Sequence, residues 1–125
     1  MSLNVHNISP SKVVRGEGAW TNSIEAITKS CKRPLIIGRS DSTKKLRTSF
    51  KNDLLIKGIQ AISFDLVHDC CELDIQNACQ FARNNNCDGI IAAGGGKVLD
   101  AGKLIAELLE INCISVPLSA STCAG

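Results

Sequence analysis

The sequence predicts an α/β fold: a doubly wound, mostly parallel sheet with flanking helices. Two observations carry that expectation. Short apolar runs alternate with amphipathic stretches in the order β-α-β-α-β-α-β. Two of the runs are continuous rather than alternating, as in strands buried on both faces of a parallel sheet.

The elements follow in order. Lys12-Val13-Val14-Arg15 is a short extended piece. Asn22 with Glu25 three residues on has a capping-box pattern and opens a helix to about Ser30. Strands are expected at Pro34–Gly38, Ile59–Phe64, Gly89–Ala93 and Cys113–Pro117. A second helix is expected from about Ser42 to Leu55, and a third from about Leu73 to Asn85. The third presents Ile75, Ala78, Cys79 and Ala82 on one side and stops at the turn-forming run Asn84-Asn85-Asn86. The fourth, from about Gly96 to Glu110, carries Val98, Ala101, Gly102, Ile105 and Leu109 at helical spacing.

Composition narrows the function. The chain has 125 residues, room for one domain and a proper core, so residues 1–125 are read as a single unit. Its 14 basic and 12 acidic side chains leave a net charge of +2, too balanced for a nucleic-acid or membrane-surface binder. Aromatics are 3% with no Tyr, which argues against a base-stacking platform. The longest apolar runs, five to six residues, are too short to span a membrane. No basic start followed by an apolar run marks a secretion signal. Cysteines stand at 31, 70, 71, 79, 87, 113 and 123, without a C-x-x-C pair and with only two histidines beside them. That pattern excludes a zinc finger or ribbon and suits a reduced, cytoplasmic protein with small buried thiols. His6, His68 and the Cys70-Cys71 pair are read as structural, and no metal site is assigned in the chain.

The sharpest signal is Gly89-Ile90-Ile91-Ala92-Ala93-Gly94-Gly95-Gly96-Lys97-Val98-Leu99-Asp100. A buried strand runs through three glycines into a helix. Glycine permits a tight turn and lets a ligand approach the backbone. The N–H groups of a helix start, helped by the helix dipole, favour a phosphate there. Lys97 adds a mobile positive charge, Asp100 is expected in the first helical turn, and Gly102 would let the helix pack close to the sheet. A Walker A loop fails at Ile91 and Val98, and a Rossmann fingerprint fails at Leu99.

Gly94-Gly95-Gly96-Lys97-x-x-Asp100-x-x-Lys103, followed by Ile114-Ser115-Val116-Pro117-x-Ser119-Ala120-Ser121-Thr122, resembles the glycerol dehydrogenase branch of the iron-containing alcohol dehydrogenase superfamily. Lys12-Val13-Val14-Arg15-Gly16-Glu17-Gly18-Ala19 is similar to the opening strand and turn of that family. The resemblance implies an N-terminal domain of the dehydroquinate synthase-like kind that binds NAD or NADP. It also implies an all-helical C-terminal domain holding a divalent metal, zinc or iron, that polarises the substrate hydroxyl. The metal-binding helical domain would follow residue 125, so the chain is expected to be a truncated part of a longer enzyme, with no catalytic residue of its own. The chain stopping just past a strand, at Ser121-Thr122-Cys123-Ala124-Gly125, fits that expectation.

Carried over residue by residue, the resemblance puts Gly95, Gly96 and Lys97 around the pyrophosphate and Asp100 near the cofactor. Leu118, Ser119 and Ser121 fall on a second cofactor loop, toward the nicotinamide. Two departures matter. Cys123 stands where glycerol dehydrogenases commonly carry a substrate-facing Asp, and a thiol cannot hold a polyol hydroxyl as a carboxylate does. Arg39-Ser40 stands where NAD users often carry an acid for the ribose diol, and Arg with Ser can bind a 2′-phosphate. NADP is therefore expected to be accepted and even preferred, the alternative being that Arg39 is a solvated residue of a basic loop that Lys44, Lys45 and Arg47 follow. The expected partners are a small-molecule alcohol, aldehyde or polyol, with self-association left open. The alternatives are a carbon–oxygen lyase of the dehydroquinate synthase-like fold, a lipid- or sugar-kinase domain, and a catalytically inactive nucleotide-binding module.

Overall fold

Proline followed by three apolar residues and a glycine forms β1, Pro34–Gly38, and all five residues are buried. The computed structural model describes residues 24, 27–39, 41–68 and 71–118. The expected strand at 12–15 and the cap at Asn22 lie outside them. The first described element is helical, α1, with Ile24 and residues 27–30. After β1 come α2 (Lys44–Ile56, led in by a 3-10 turn at Asp41–Thr43), β2 (Ile62–Asp65) and α3 (Glu72–Asn84). Then come β3 (Gly89–Gly94), α4 (Gly96–Leu109) and β4 (Asn112–Pro117).

The four strands form one sheet in the order β2-β1-β3-β4, and every pairing is parallel. Each parallel step requires a crossover, and the helices supply it. Alternation along the strands then sorts the side chains. Ile36, Ile91, Ile114 and Val116 face α1 and α2, where Ile27, Phe50 and Leu54 meet them. Leu35, Ile37, Ile90, Ala92 and Cys113 face α3 and α4, where Ile75, Ala78, Ala82, Val98 and Ile105 close the second layer. Helices on both faces of a parallel sheet are the doubly wound arrangement the sequence predicted. No helix among the described residues is long and apolar enough to cross a membrane.

The helix ends follow their sequence signals. Asn86 takes the left-handed conformation (φ 56°), Cys87 N–H bonds back to Ala82 O at 2.9 Å, and Asn85 Nδ2 donates to Phe81 O. Below the sheet, the Asp88 carboxylate accepts the N–H groups of Lys32 and Arg33, both at 2.8 Å. Arg33 in turn donates to Asn85 O and Gln60 Oε1. These bonds close the N-terminal ends of β1 and β3.

One strand differs from expectation. The second covers Ile62–Asp65, not Ile59–Phe64. Ile59 N–H bonds to Leu54 O at the end of α2 and Gln60 N–H to Lys32 O, so Ile59 and Ala61 are buried apolar residues ahead of the strand, which begins at Ile62. The strand itself alternates between half-buried and exposed residues, as an edge of the described sheet does.

Candidate functional site

The chain leaves β1 toward β2 on one side and leaves β3 toward β4 on the other. The strand order therefore reverses between β1 and β3, and open α/β sheets bind ligands beyond the carboxyl ends of their strands at such a point. The register that sets Ile37 against Ala92 carries, two residues on, Arg39 up to the level of Gly94. Arg39 and the three glycines thus share the carboxyl end of the two central strands.

The glycines divide by what surrounds them. Gly94 lies against Val98, with only 3.0 Å left for a Cβ. At Gly95 and Gly96 a Cβ would meet nothing within 4 Å. Gly95 is the N-cap of α4 at φ −83°, ψ −174°, an extended backbone that any residue adopts. Among the described glycines only Gly58 has positive φ. The turn expected to need glycine is made with ordinary dihedral angles, and only Gly94 is held to glycine, by its packing against Val98. What the missing side chains do provide at 95 and 96 is open access to the backbone. No side chain caps the helix, and the first amide to bond back is that of Leu99, onto Gly95 O at 3.0 Å. The N–H groups of the first turn have no partner inside the helix, and the dipole adds partial positive charge.

Lys97 is exposed on the first turn. Asp100 is exposed but is the fifth residue of α4, not part of the first turn, because the helix already begins at Gly96. The helix dipole therefore does little for the Asp100 carboxylate, since that effect fades beyond the first turn. Leu118 N–H bonds to Gly94 O at 2.9 Å, which ties the start of the second loop to the glycine turn. The Leu118 side chain is half-buried against the α1–α2 core. Ser40, Ser119, Ser121 and Cys123 lie outside the described residues.

Arg39 is exposed, and its Nε donates to His68 O at 2.8 Å. Lys44, Lys45 and Arg47, which follow it, lie on α2, within the helix expected from about Ser42, and Arg47 is buried rather than solvated. Sequence reasoning missed this residue. The Arg47 guanidinium passes over Gly38, where any Cβ would collide with it, and donates to Thr43 Oγ1. It also stands 3.4 Å from Asp65 Oδ1 at the end of β2, with Lys44 on the other oxygen at 3.9 Å. The glycine at the end of β1 admits a cation that braces β1 against β2.

A second constellation was also missed. His68 N–H donates to both carboxylate oxygens of Asp74, at 3.3 and 3.1 Å, and His68 Nδ1 lies 3.1 Å from Oδ1. Burial raises the pKa of Asp74, but the hydrogen bonds from the His68 ring and backbone outweigh it and hold the carboxyl below its ordinary 3.8. Cys71, the N-cap of α3, is exposed, whereas Cys31, Cys79 and Cys113 are buried. Burial pushes the Cys31 thiol up to about 12, with nearby Asp88 adding to it, and the Cys113 thiol up to about 11. Those two are inert.

With the geometry in place, the sequence pattern of the family described as "Iron-containing alcohol dehydrogenase" matches residues 10–125. The chain belongs to that family. It is 31% identical over 122 residues to an uncharacterized oxidoreductase of Synechocystis sp., covering 94% of this chain and 30% of the relative. It is 26% identical over 119 residues to a glycerol dehydrogenase of Pseudomonas putida, covering 91% of this chain and 31% of the relative. Among solved structures, the NADH-dependent butanol dehydrogenase A of Thermotoga maritima superposes with a TM-score of 0.64 at 26% identity, covering 76% of this chain and 25% of that one. The chain spans about 30% of the length of the curated relatives that match over most of it.

Proposed function

We propose that the chain is the dinucleotide-binding part of a metal-dependent NAD(P) oxidoreductase acting on an alcohol–carbonyl pair. In this reading the metal is held by a helical domain after residue 125. The observation that carries it is the pair Gly95-Gly96: neither dihedral angles nor packing requires glycine there, yet both sit at the helix start on the reversal point of the sheet. A site evolved to let a diphosphate touch the backbone would look so. The family membership supports the same reading, as do the names of the relatives, a glycerol dehydrogenase and an NADH-dependent butanol dehydrogenase.

The residues then divide the work. The N–H groups at Gly95 and Gly96 and the Lys97 ammonium receive the pyrophosphate. Arg39, with Ser40, faces the adenosine ribose and favours its 2′-phosphate, which a carboxylate would repel. Ser119 and Ser121 follow Leu118 toward the nicotinamide, and Cys123 lies on the substrate side. Cys123 in place of a carboxylate argues for an alcohol or aldehyde other than glycerol. The bound nicotinamide supplies the hydride acceptor, and the chain's own part is to fix its position and shield it from water.

Dissociation constants for NADP and NAD, measured by titration calorimetry on this chain, test the reading. NADP should bind more tightly, and Gly95→Ala should weaken both. Binding untouched by Gly95→Ala removes the turn from the site, and a clear preference for NAD removes the role of Arg39.

A further inference from the structure

His68, Cys71 and Asp74 stand apart from the cofactor turn, where the chain passes from the edge strand β2 into α3. Their donor atoms, an imidazole nitrogen, Cys71 Sγ and a carboxylate oxygen, all lie within 4.8 Å of one another. The helix start explains the grouping. Cys71 is the N-cap and Asp74 the third helical residue, so the two share one side of the first turn. His68 is folded back over them by its own N–H, which the carboxylate accepts. The three groups are therefore brought together by backbone geometry, before any ligand arrives.

We propose that His68, Cys71 and Asp74 form a binding site for a divalent cation of the zinc class. The donor set is one nitrogen, one sulfur and one oxygen. A thiolate and an imidazole favour zinc or cobalt over magnesium or calcium, which demand oxygen shells. Tetrahedral zinc with bonds of about 2.0–2.3 Å holds its donors roughly 3.3–3.8 Å apart. His68 Nδ1 and Asp74 Oδ1, at 3.1 Å, are already near that spacing. Cys71 and His68 are exposed and rotate to close the rest, whereas the Asp74 side chain is only 3% exposed and stays in place. On binding, Cys71 releases its thiol proton to water and the His68 ring carries its proton on Nε2. Water completes the fourth position, as in zinc sites with three protein ligands. The bond from His68 N–H to Asp74 Oδ2 orients the carboxylate from behind. This cation is separate from the one the proposed function assigns to a helical domain, and the site stands whether or not that function holds.

Cobalt(II) titrated into the reduced chain is the probe. We expect a thiolate-to-cobalt charge-transfer band that saturates at one equivalent and is abolished by excess zinc. Cys71→Ser should erase the band, and His68→Ala should weaken binding at least tenfold. Absence of the band, its survival in Cys71→Ser, or an affinity unchanged by His68→Ala overturns the proposal and leaves the three residues as a helix cap. A second measurement needs no substitution: zinc should slow alkylation of Cys71 at least tenfold, read by tandem mass spectrometry, while Cys87 is unaffected. Equal alkylation of Cys71 with and without zinc also overturns it.

Discussion

The helix α4 has a glycine in its middle and another at its N-cap that look alike in sequence and do opposite things. At Gly102, in its middle, a Cβ would run into Ala92 Cβ and lie 3.3 Å from Ile37 Cδ1. The helix lies directly on β3 there, and the absent side chain is what permits it. At Gly95, seven residues earlier, a Cβ would point into open space. Packing requires the first glycine and leaves open space at the second. A glycine that costs conformational entropy without serving the fold points to something outside the chain.

That contrast can be attacked directly. Gly102→Ala should lower stability by about 1–3 kcal/mol, since added volume in a packed core forces the neighbours apart. The loss would appear as a lower urea midpoint with an unchanged slope. Gly95→Ala should shift stability by no more than about 1 kcal/mol, because its extended backbone suits alanine while the N-cap position prefers glycine. The same change should weaken dinucleotide binding about tenfold, ~1.4 kcal/mol. A Gly95→Ala variant that unfolds easily would erase the distinction between the two sites. The double variant sharpens it: positions seven residues apart on a helix are about 10 Å apart, so the stability effects should add within about 0.5 kcal/mol.

The packed side of the comparison can also be read through pH. Cys31 lies against Gly89, 3.0 Å from where a Cβ would be, and its thiol is held neutral up to about 12 by burial. A folded-state value above the ordinary 9.0 stabilises fully below pH 9, and the contribution is lost as pH rises toward 12. Urea midpoints should therefore be flat through neutral pH and fall in alkali, with a shallower fall in Cys31→Ala. At the other end of the scale, Asp74 works with the opposite sign. Its depressed carboxyl stabilises above its ordinary 3.8, and that contribution disappears as acid protonates it in the folded chain. Asp74→Asn should flatten the acid limb, checked by the same midpoints below pH 5.

Much of this was legible from residues alone, and the exceptions have physical reasons. β1, β3 and β4 are buried on both faces, and unbroken apolar runs announce them. β2 starts later than expected because Ile59 and Ala61 look like strand residues yet are buried ahead of it, Ile59 tied to the end of α2, a tertiary use that local pattern does not encode. The close approach at Gly102 was visible as a glycine on an otherwise apolar helix side. Arg47 was not, since a buried cation contradicts its composition and only the space over Gly38 makes room for it. The spacing of His68, Cys71 and Asp74 was in plain view, but two of the three are exposed and only the returning backbone brings them together.

The bond from Arg39 Nε to His68 O has a practical consequence. Exchanging Arg39 for an acid in order to switch coenzyme would also cut the strut that joins the tip of β1 to the segment entering α3. A redesign aimed at selectivity alone would then loosen a neighbouring stretch of chain. Arg39→Gln, which retains an N–H donor on a shorter arm, tests the strut apart from the proposed coenzyme contact.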